Sequence, residues 1–348
     1  MLQLVPTLLL KTLHCYIGLL VCGFLFCISL SGTLLLLKRE YLWISYDDAR
    51  TAIDYTKLPN TVRSIENSYT QKDLFVQLHT ANLGLHKVFL PDRRYAYHNQ
   101  SGQLLNSWTG NNTIEDWLLD FHHRFLLGNT IGLNMAGFSG LLSIFLALIG
   151  VFLWWPYRRF WKPKLRFSAK HSHARSSHTN LGAPLLLPLL LLTVTGVILV
   201  YPTESRWLLQ NNFSSVAPKT ILQEEPISIA DVDAQIEFAL DTFPGAKLRW
   251  LQSQVLDAEA PLIERTIGLS QQGAWDTSGK TSIQFKAQGL VIKDARRQSN
   301  SVRAVGLSYV LHIGGIHLLY RLTLIFVGLA MCALSFFALR SFYLRRFR

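Results

Sequence analysis

The residues of this chain best suited to bind a metal are histidines at the start of apolar segments. His14 and His178 open two segments that share the pattern His-x3-Gly-x13-Gly. The glycines are Gly18 and Gly32 in the first segment and Gly182 and Gly196 in the second. Because an α-helix has 3.6 residues per turn, positions four and eighteen residues after a histidine return to its face of the helix. Each histidine therefore shares a face with two glycines, which leaves room for a flat ligand.

Two further histidine positions precede the other two apolar segments. They are His122 or its neighbour His123, and His312 or the nearby His317. A small residue again follows eighteen positions later, Gly140 after His122 and Ala330 after His312. The chain is therefore predicted to contain an internal two-fold sequence repeat, with a histidine on each of four helices.

Neutral imidazoles on facing helices suit a haem iron, which they bind from both axial sides. A zinc or copper ion uses the same nitrogens, but carboxylates and thiols are scarce near these histidines. The sequence has no CxxCH motif for covalent haem attachment. A single histidine at a membrane interface is more often an anchor, whereas four in a repeat favour an ion or electron pathway. His79, His86 and His98 are interpreted as ordinary strand and turn residues.

Four windows of the sequence are long and apolar enough to cross the roughly 30 Å hydrocarbon core of a bilayer. They cover residues 16–37, 133–155, 181–201 and 320–339. Hydrophobic residues make up 49% of the chain and charged residues only 16%, which indicates a membrane protein in contact with lipid. The first window has no clear A-x-A cleavage site and is expected to be retained. Four crossings place both termini on one side.

The net charge of +12 is concentrated in two short segments. Seven Lys and Arg residues and no acidic residue lie between Pro156 and His178, and four arginines lie from Arg340 to the C-terminus. Short basic segments of this kind stay in the cytoplasm. All 22 acidic residues lie in the long segments 38–131 and 202–306, which we expect to be exported. Membrane topology therefore explains the charge, and nucleic acid is excluded as a partner.

The expected fold is a membrane all-α four-helix bundle with two exported α+β modules. The expected order is helix 1 over 12–38, exported module 1 over 39–120, membrane segment 2 over 121–156, a basic cytoplasmic loop over 157–177, helix 3 over 178–201, exported module 2 over 202–306, helix 4 over 307–340 and a cytoplasmic tail over 341–348. Strands are predicted over 73–79, 86–90 and 94–105 in module 1, and over 248–255, 262–269, 281–287 and 290–294 in module 2.

Recurrent motifs surround the four histidines. They are Leu13-His14-x3-Gly18, Phe121-His122-x5-Gly128 leading to Leu153-Trp-Trp-Pro156, His178-x3-Gly182 with Thr195-Gly196, and Leu311-His312-Ile-Gly314. Together they resemble the PepSY-associated transmembrane family over nearly the whole chain. Phe243-Pro-Gly245 and the stretch Asn99-Gln-Ser-Gly102 are similar to the exported PepSY modules of that family.

That family includes iron-regulated inner-membrane proteins and haem-bearing siderophore reductases of the FoxB type. The resemblance implies a bacterial inner-membrane protein with haem b, two groups each held by two histidines. The ligands that it implies are His14, His178, His122 and His312, with His123, His317 and His173 as alternates. Arg124 and Arg321 lie within about three helical turns of the outer histidines and are expected to attract haem propionates or an anionic chelate.

Together with the four histidines, the resemblance implies an oxidoreductase that passes electrons outward to ferric iron in a siderophore or a similar ferric chelate. Quinol or a separate reductase is the expected electron donor, because the loop over 157–177 is too short for a dinucleotide-binding domain and the sequence has no GxGxxG motif. The alternative is a membrane-anchored PepSY protein that binds a partner or regulates a protease without redox activity. A transporter is disfavoured because the apolar segments lack carboxylates.

Overall fold

The computed structural model describes residues 4–69, 73–78, 83–160, 164–165, 170–210, 221–223, 231–255, 263–271, 279–286, 289–297 and 299–347. The α-helices are α1 (Leu4–Leu36), α2 (Lys38–Ser45), α3 (Leu58–Asn67), α4 (Ile114–Arg124), α5 (Leu133–Trp154), α6 (His171–Val200), α7 (Pro202–Gln210), α8 (Val232–Thr242), α9 (Asn300–His312) and α10 (Leu318–Arg346). The strands are β1 (Leu74–Leu78), β2 (Leu85–Leu90), β3 (Arg94–Asn99), β4 (Leu104–Thr109), β5 (Ile221–Gln223), β6 (Lys247–Val255), β7 (Ile263–Ser270), β8 (Thr281–Lys286) and β9 (Gly289–Lys293).

The chain divides into a helical unit and a sheet unit. The helical unit comprises Met1–Leu37, Glu115–Ser205 and Leu311–Arg348, and the sheet unit comprises Lys38–Ile114 and Arg206–Val310. Four helices are long and apolar enough to cross a membrane, over Thr7–Leu36, Gly128–Arg159, His171–Val200 and Leu318–Arg346. α1 packs against α5 and α10, and α6 packs against the same two helices. The predicted four-helix bundle is thereby confirmed.

The third membrane helix begins earlier than the sequence predicts. α6 starts at His171 rather than at His178, so its first two turns replace the end of the expected cytoplasmic loop. It then continues through Pro184 and Pro188. Hydropathy marks only the apolar part of a helix, and the residues before His178 are polar. The histidine therefore lies inside α6 rather than at its first turn.

Small residues bring α1 and α10 into close contact. A Cβ on Gly328 would lie 2.2 Å from the hydroxyl oxygen of Thr33, so only glycine fits there. The Thr33 hydroxyl donates to the carbonyl of Ser29 at 2.7 Å. The thiol of Cys332 lies 3.8 Å from the carbonyl of Phe26. Van der Waals packing of this kind is what holds helices together in lipid.

The strands of the two expected modules form one sheet. Its order is β4-β3-β2-β1-β6-β7-β8-β9-β5. β1 pairs with β6 in antiparallel register, for example Val76 with Leu251, and this pairing joins the strands of the first module to those of the second. α3 and α8 pack together, and their apolar residues share one buried core with the sheet.

The strand predicted over 94–105 is two strands separated by a turn. β3 ends at Asn99 and β4 begins at Leu104. The Asn99 side chain accepts hydrogen bonds from the backbone N–H groups of Ser101 and Gln103, and Gly102 has a φ of 80°. Asparagine and glycine favour such turns because the first bonds the backbone locally and the second adopts positive φ without strain.

A buried ion pair links a helix of the first module to a strand of the second. Arg265 on β7 donates to Glu66 on α3 through Nε and Nη2, at 2.9 and 2.8 Å. The hydroxyl of Ser253 on β6 also donates to this carboxylate. Both charged side chains are more than nine-tenths buried. A paired geometry of this kind is needed to offset the cost of removing two charges from water.

Two histidines of the sheet unit lie opposite each other on β2 and β3. His86 and His98 are register partners, and both are buried. Nε2 of His98 accepts from the Tyr69 hydroxyl at 2.7 Å, and its Nδ1–H donates to the Gly102 carbonyl at 2.8 Å. Burial raises the pKa of Tyr69 and lowers that of His98. These are structural residues of the core, in keeping with their interpretation from the sequence, while His79 lies outside the described residues.

Candidate functional site

Two histidine pairs lie within the helical unit. The first pair joins His14 on α1 to His178 on α6, with ring centres 6.3 Å apart and an angle of 73° between the ring planes. The second pair joins His122 on α4 to His312 on α9, with ring centres 6.2 Å apart and an angle of 44°. The structure therefore brings together the same two pairs that the resemblance implied.

The histidines of the second pair do not lie at the start of membrane helices, in contrast to the prediction from the sequence. His122 lies in the last turn of α4, and His312 is the last residue of α9. The backbone breaks after each: Phe125 and Leu126 have φ values of 50° and 62°, and Gly314 has 70°. Positive φ costs a non-glycine residue roughly 1–3 kcal/mol, so the surrounding packing must hold this break in place.

A glycine is required where the break after α4 closes. The chain passes from the break into a π-helical turn over Gly128–Gly132 before α5 begins. A Cβ on Gly132 would lie 1.8 Å from the carbonyl oxygen of Arg124. This distance is a severe steric clash, so only glycine fits at this position. This close approach fixes the end of α4, and with it the position of His122. The sequence contains this glycine, but it does not show that the glycine approaches the Arg124 carbonyl.

The imidazole of His122 rests on the facing helix α1. Its Nδ1 lies 2.9 Å from the Ile28 carbonyl and 3.2 Å from the Ser31 hydroxyl. A Cβ on Gly32 would lie only 2.7 Å from Cε1 of the ring, so the absence of a side chain there lets the ring approach. Because a carbonyl can only accept, Nδ1 carries the proton and Nε2 keeps its lone pair.

The imidazole of His312 rests on α6 in the same way. Its Nδ1 lies 3.1 Å from the Thr195 hydroxyl, and the Leu192 carbonyl lies beside the ring. A Cβ on Gly196 would lie 3.2 Å from Cε1 of His312. Gly32 and Gly196, which the sequence assigned to the faces of His14 and His178, therefore lie against the histidines of the second pair.

The first pair has similar surroundings without hydroxyl groups. Nδ1 of His178 lies 3.2 Å from the carbonyl of Leu334 on α10. Nδ1 of His14 has no hydrogen-bond partner among the described residues, although the carbonyl of Leu146 on α5 lies beside the ring. A Cβ on Gly150 would lie 3.4 Å from Cε1 of His14. Each ring of the first pair therefore lies beside a backbone carbonyl of a facing helix.

Gly18 and Gly182, one turn after the histidines of the first pair, differ in their surroundings. A Cβ on Gly18 would meet no other atom of the described chain within 4 Å. A Cβ on Gly182 would lie 3.4 Å from the Leu334 side chain, an ordinary contact distance. Open space beside Gly18 gives a ligand held by His14 room along α1.

The alternate histidines have other neighbours. The ring centre of His123 lies 5.6 Å from that of His122. His317 precedes α10, and its Nδ1 accepts from the backbone N–H of Tyr320 at 3.2 Å. His173 lies in the first turn of α6, about one and a half turns before His178 on the same helix. His317 is therefore occupied as a helix cap, and His123 is the alternate that lies nearest to the second pair.

The two predicted cationic residues also lie near the second pair. Arg124 forms an ion pair with Asp120 one turn earlier on α4, at 3.0 Å. Arg321 packs on Gly314, whose Cβ, if present, would lie 3.2 Å from the Arg321 side chain. Arg124 thus adds less net charge to the site than the sequence suggested, because Asp120 was not identified as its partner.

The spacing within each pair suits two imidazoles that share one metal. Two imidazoles that bind one metal from opposite sides have nitrogen-to-metal distances of about 2 Å and ring centres roughly 6.3 Å apart. The observed separations are 6.3 and 6.2 Å. Within the described ranges no group of three or more His, Cys, Asp and Glu side chains could hold a metal ion. The pairs therefore fit a haem iron, which needs only two protein ligands.

Comparison with known proteins decides the family. A family model described as the PepSY-associated TM region matches residues 11–346. The chain belongs to that family. No curated protein matches it. The match includes both histidine pairs of this PepSY-associated membrane protein, together with its whole sheet unit and its four membrane helices, apart from the start of the first.

Proposed function

We propose that this PepSY-associated membrane protein is a haem b oxidoreductase that carries electrons across the membrane to ferric iron, held in a siderophore or a similar chelate. The observation that carries the proposal is the pair of matched imidazole separations, 6.3 and 6.2 Å, in one helical bundle. His14 and His178 would hold one haem, and His122 and His312 a second. Bound haem supplies one-electron chemistry.

The protein's own contribution is to present neutral imidazole nitrogens in an apolar bundle. His122 and His178 direct Nδ1 toward a backbone carbonyl of a facing helix, and His312 directs it toward the Thr195 hydroxyl, which leaves Nε2 for a ligand. Histidines that bind metals commonly donate their other ring N–H to such a group. Gly18, with open space beside it, would accommodate part of the macrocycle along α1.

The orientation that we propose rests on charge. The segment between α5 and α6 is basic, and so is the C-terminal end of α10, so both would face the cytoplasm of a bacterium, with the N-terminus on the same side. The sheet unit would then be exported, in a multi-pass inner-membrane protein. Quinol or a separate reductase would supply electrons to the first pair.

The substrate class follows from the family resemblance and from charge near the second pair. Arg321, and Arg124 despite its ion pair with Asp120, place positive charge within a few turns of His122 and His312. Positive charge attracts an anionic ferric chelate and raises its local concentration. We propose that ferric iron is reduced on this side. The matched spacing of the two pairs supports an internal repeat, in which each half would provide half of each site.

Spectroscopy of the purified protein tests the cofactor. We expect a Soret band and, from pyridine haemochrome analysis, a haem-to-protein ratio approaching two. His14→Ala and His178→Ala should each remove the same low-spin signal and leave the other, because both imidazoles bind one iron. His171→Ala, on α6 but outside both pairs, is the matched control. Wild-type spectra in both variants of the first pair would refute the assignment.

A reoxidation experiment tests the reaction. Reduced protein in detergent should be reoxidised by a ferric siderophore, and a ferrous chelator should trap the iron(II) produced. His122→Ala with His312→Ala should slow reoxidation while the first haem is still reducible. Reoxidation of this double variant at the wild-type rate would show that electrons leave by another route. A protein purified without haem would instead favour a membrane-anchored PepSY protein that binds or regulates a partner.

A further inference from the structure

The four histidines share one arrangement, in which the ring lies against a carbonyl of a facing helix with a small residue four positions later. For the second pair, a hydroxyl residue also occupies the third position. The two sets, here called the histidine seats, are Ile28, Ser31 and Gly32 for His122, and Leu192, Thr195 and Gly196 for His312. In the first pair the equivalent third positions are Ile149 after Leu146 and Phe337 after Leu334. Hydroxyl groups thus distinguish the second pair from the first.

The hydroxyl of Ser31 has its own proton committed to α1. Its Oγ lies 2.7 Å from the Cys27 carbonyl and 3.1 Å from the Ile28 carbonyl, and both of these groups can only accept. The hydroxyl oxygen is therefore left to accept from Nδ1–H of His122 at 3.2 Å. Ser31 is buried, so water does not replace it in this role.

The hydroxyl of Thr195 repeats this arrangement on α6. Its Oγ1 lies 2.8 Å from the Leu191 carbonyl and 3.0 Å from the Leu192 carbonyl. Its oxygen faces Nδ1 of His312 at 3.1 Å. The ring N–H of His122 is thus shared between a carbonyl and a hydroxyl oxygen, and that of His312 faces a hydroxyl oxygen; both arrangements disfavour the tautomer with the proton on Nε2.

We propose that Ser31 and Thr195 are positioning residues that fix the Nδ1–H tautomer of His122 and His312 and so set the ligand strength of the second pair. An acceptor on the far side of an imidazole makes its other nitrogen a stronger donor to a metal. The inference rests on the proposed function where it concerns haem. The tautomer of each histidine is a property of the protein that can be measured without haem.

The variants are Ser31→Ala and Thr195→Val, each of which removes one hydroxyl with little change in shape. Thr33→Val on α1 and Thr193→Val on α6 are matched controls, since these hydroxyls donate to Ser29 and Leu189 of their own helices. Loss of a group that orients a ligand costs about 10–100-fold in metal affinity. We therefore expect at least about tenfold weaker haem binding by the second pair, and a raised reduction potential there, in the test variants only.

Conservative variants separate positioning from packing. Ser31→Thr and Thr195→Ser retain the hydroxyl and should restore the potential and the paramagnetic resonance spectrum of the second centre. An equal change in the control variants, or no recovery with the conservative ones, would overturn the proposal, because packing alone would then explain the effect.

A measurement on haem-free protein distinguishes failure of this inference from failure of the proposed function. Nitrogen-15 spectra of histidine-labelled protein should show His122 and His312 as the Nδ1–H tautomer. The share of the Nε2–H tautomer should rise in Thr195→Val, and by less in Ser31→Ala, where the Ile28 carbonyl still accepts from Nδ1. Unchanged tautomers in these variants would refute the inference even if haem is bound. The expected tautomer change in a protein that never binds haem would refute the proposed function alone.

Discussion

His86 should make the stability of the sheet unit depend on pH. Its side chain is 1% exposed, and neither ring nitrogen has a hydrogen-bond partner in the described part of the chain. Burial, with a smaller contribution from nearby His98, lowers the pKa of His86 from 6.5 to about 4. The folded protein therefore keeps this imidazole neutral at pH values where the unfolded chain already binds a proton.

The sign and size of the effect follow from proton linkage. Between the unfolded pKa of 6.5 and the folded value of about 4, the unfolded state binds more protons, so acidification lowers the free energy of unfolding. The part of the free energy of unfolding that depends on neutral His86 is fully present above the unfolded pKa and fully lost below the folded pKa. At about 1.4 kcal/mol per pH unit the total is about 3 kcal/mol, of which about 2.5 kcal/mol is lost by pH 4.5.

The assay is denaturant unfolding of the full chain in detergent, followed by tryptophan fluorescence between about pH 7.5 and pH 4.5. Trp108 and Trp250 lie on strands of the sheet and report on its unfolding. His86→Leu removes the titrating group and should flatten the pH dependence by about 2.5 kcal/mol, while His171→Leu, in the helical unit, should not. A pH dependence in His86→Leu equal to that of the wild type, or a directly measured pKa of His86 near 6.5, would refute the reasoning.

Three further predictions concern topology and packing. Reporter fusions after Lys164 should behave as cytoplasmic and fusions near Gly102 as exported; an exported reporter after Lys164 would contradict the orientation. Gly132→Ala should destabilise the helical unit by at least about 2 kcal/mol, measured by thermal unfolding, because its Cβ meets the last carbonyl of α4, whereas Gly23→Ala, with open space in the described structure, should be tolerated. Glu66→Gln should lower the free energy of unfolding of the sheet unit by about 3 kcal/mol, because it leaves a buried arginine without its counter-charge; a change below about 1 kcal/mol in denaturant unfolding would contradict this.

The sequence predicts the membrane helices well because hydropathy depends only on the residues of each segment. The same property locates helix ends poorly where a helix extends beyond the membrane. α6 gains two polar turns before His178, and α10 begins only at Leu318, after a separate helix that ends at His312. Gly314, with a φ of 70°, is the one local signal of that break, and glycine in a membrane helix is too common to identify it.

Sequence patterns could not predict that the strands of both modules form one sheet. Alternating residues determine which face of a strand is buried, but they do not identify its neighbour. The pairing of β1 with β6 joins residues such as Val76 and Leu251, and the buried pair of Glu66 with Arg265 spans the same long separation. Both residues fall on the buried face of their element, Glu66 four positions after Val62 and Arg265 two before Ile267, but the pattern of one element does not identify a partner on another.

The histidine seats show how one helix face serves two sites. Gly32 lies on the face of His14 as the helical period requires, yet the ring that it accommodates is that of His122. The hydroxyl residues Ser31 and Thr195 each follow the histidine of their own helix by seventeen residues, which at 1.5 Å per residue is about 26 Å along the axis. α1 and α6 therefore each provide a histidine of the first pair and, seventeen residues later, a seat for a histidine of the second pair. Because both helices have this spacing, a change in helix length between a histidine and the seat on the same helix would alter the distance between the two histidine pairs.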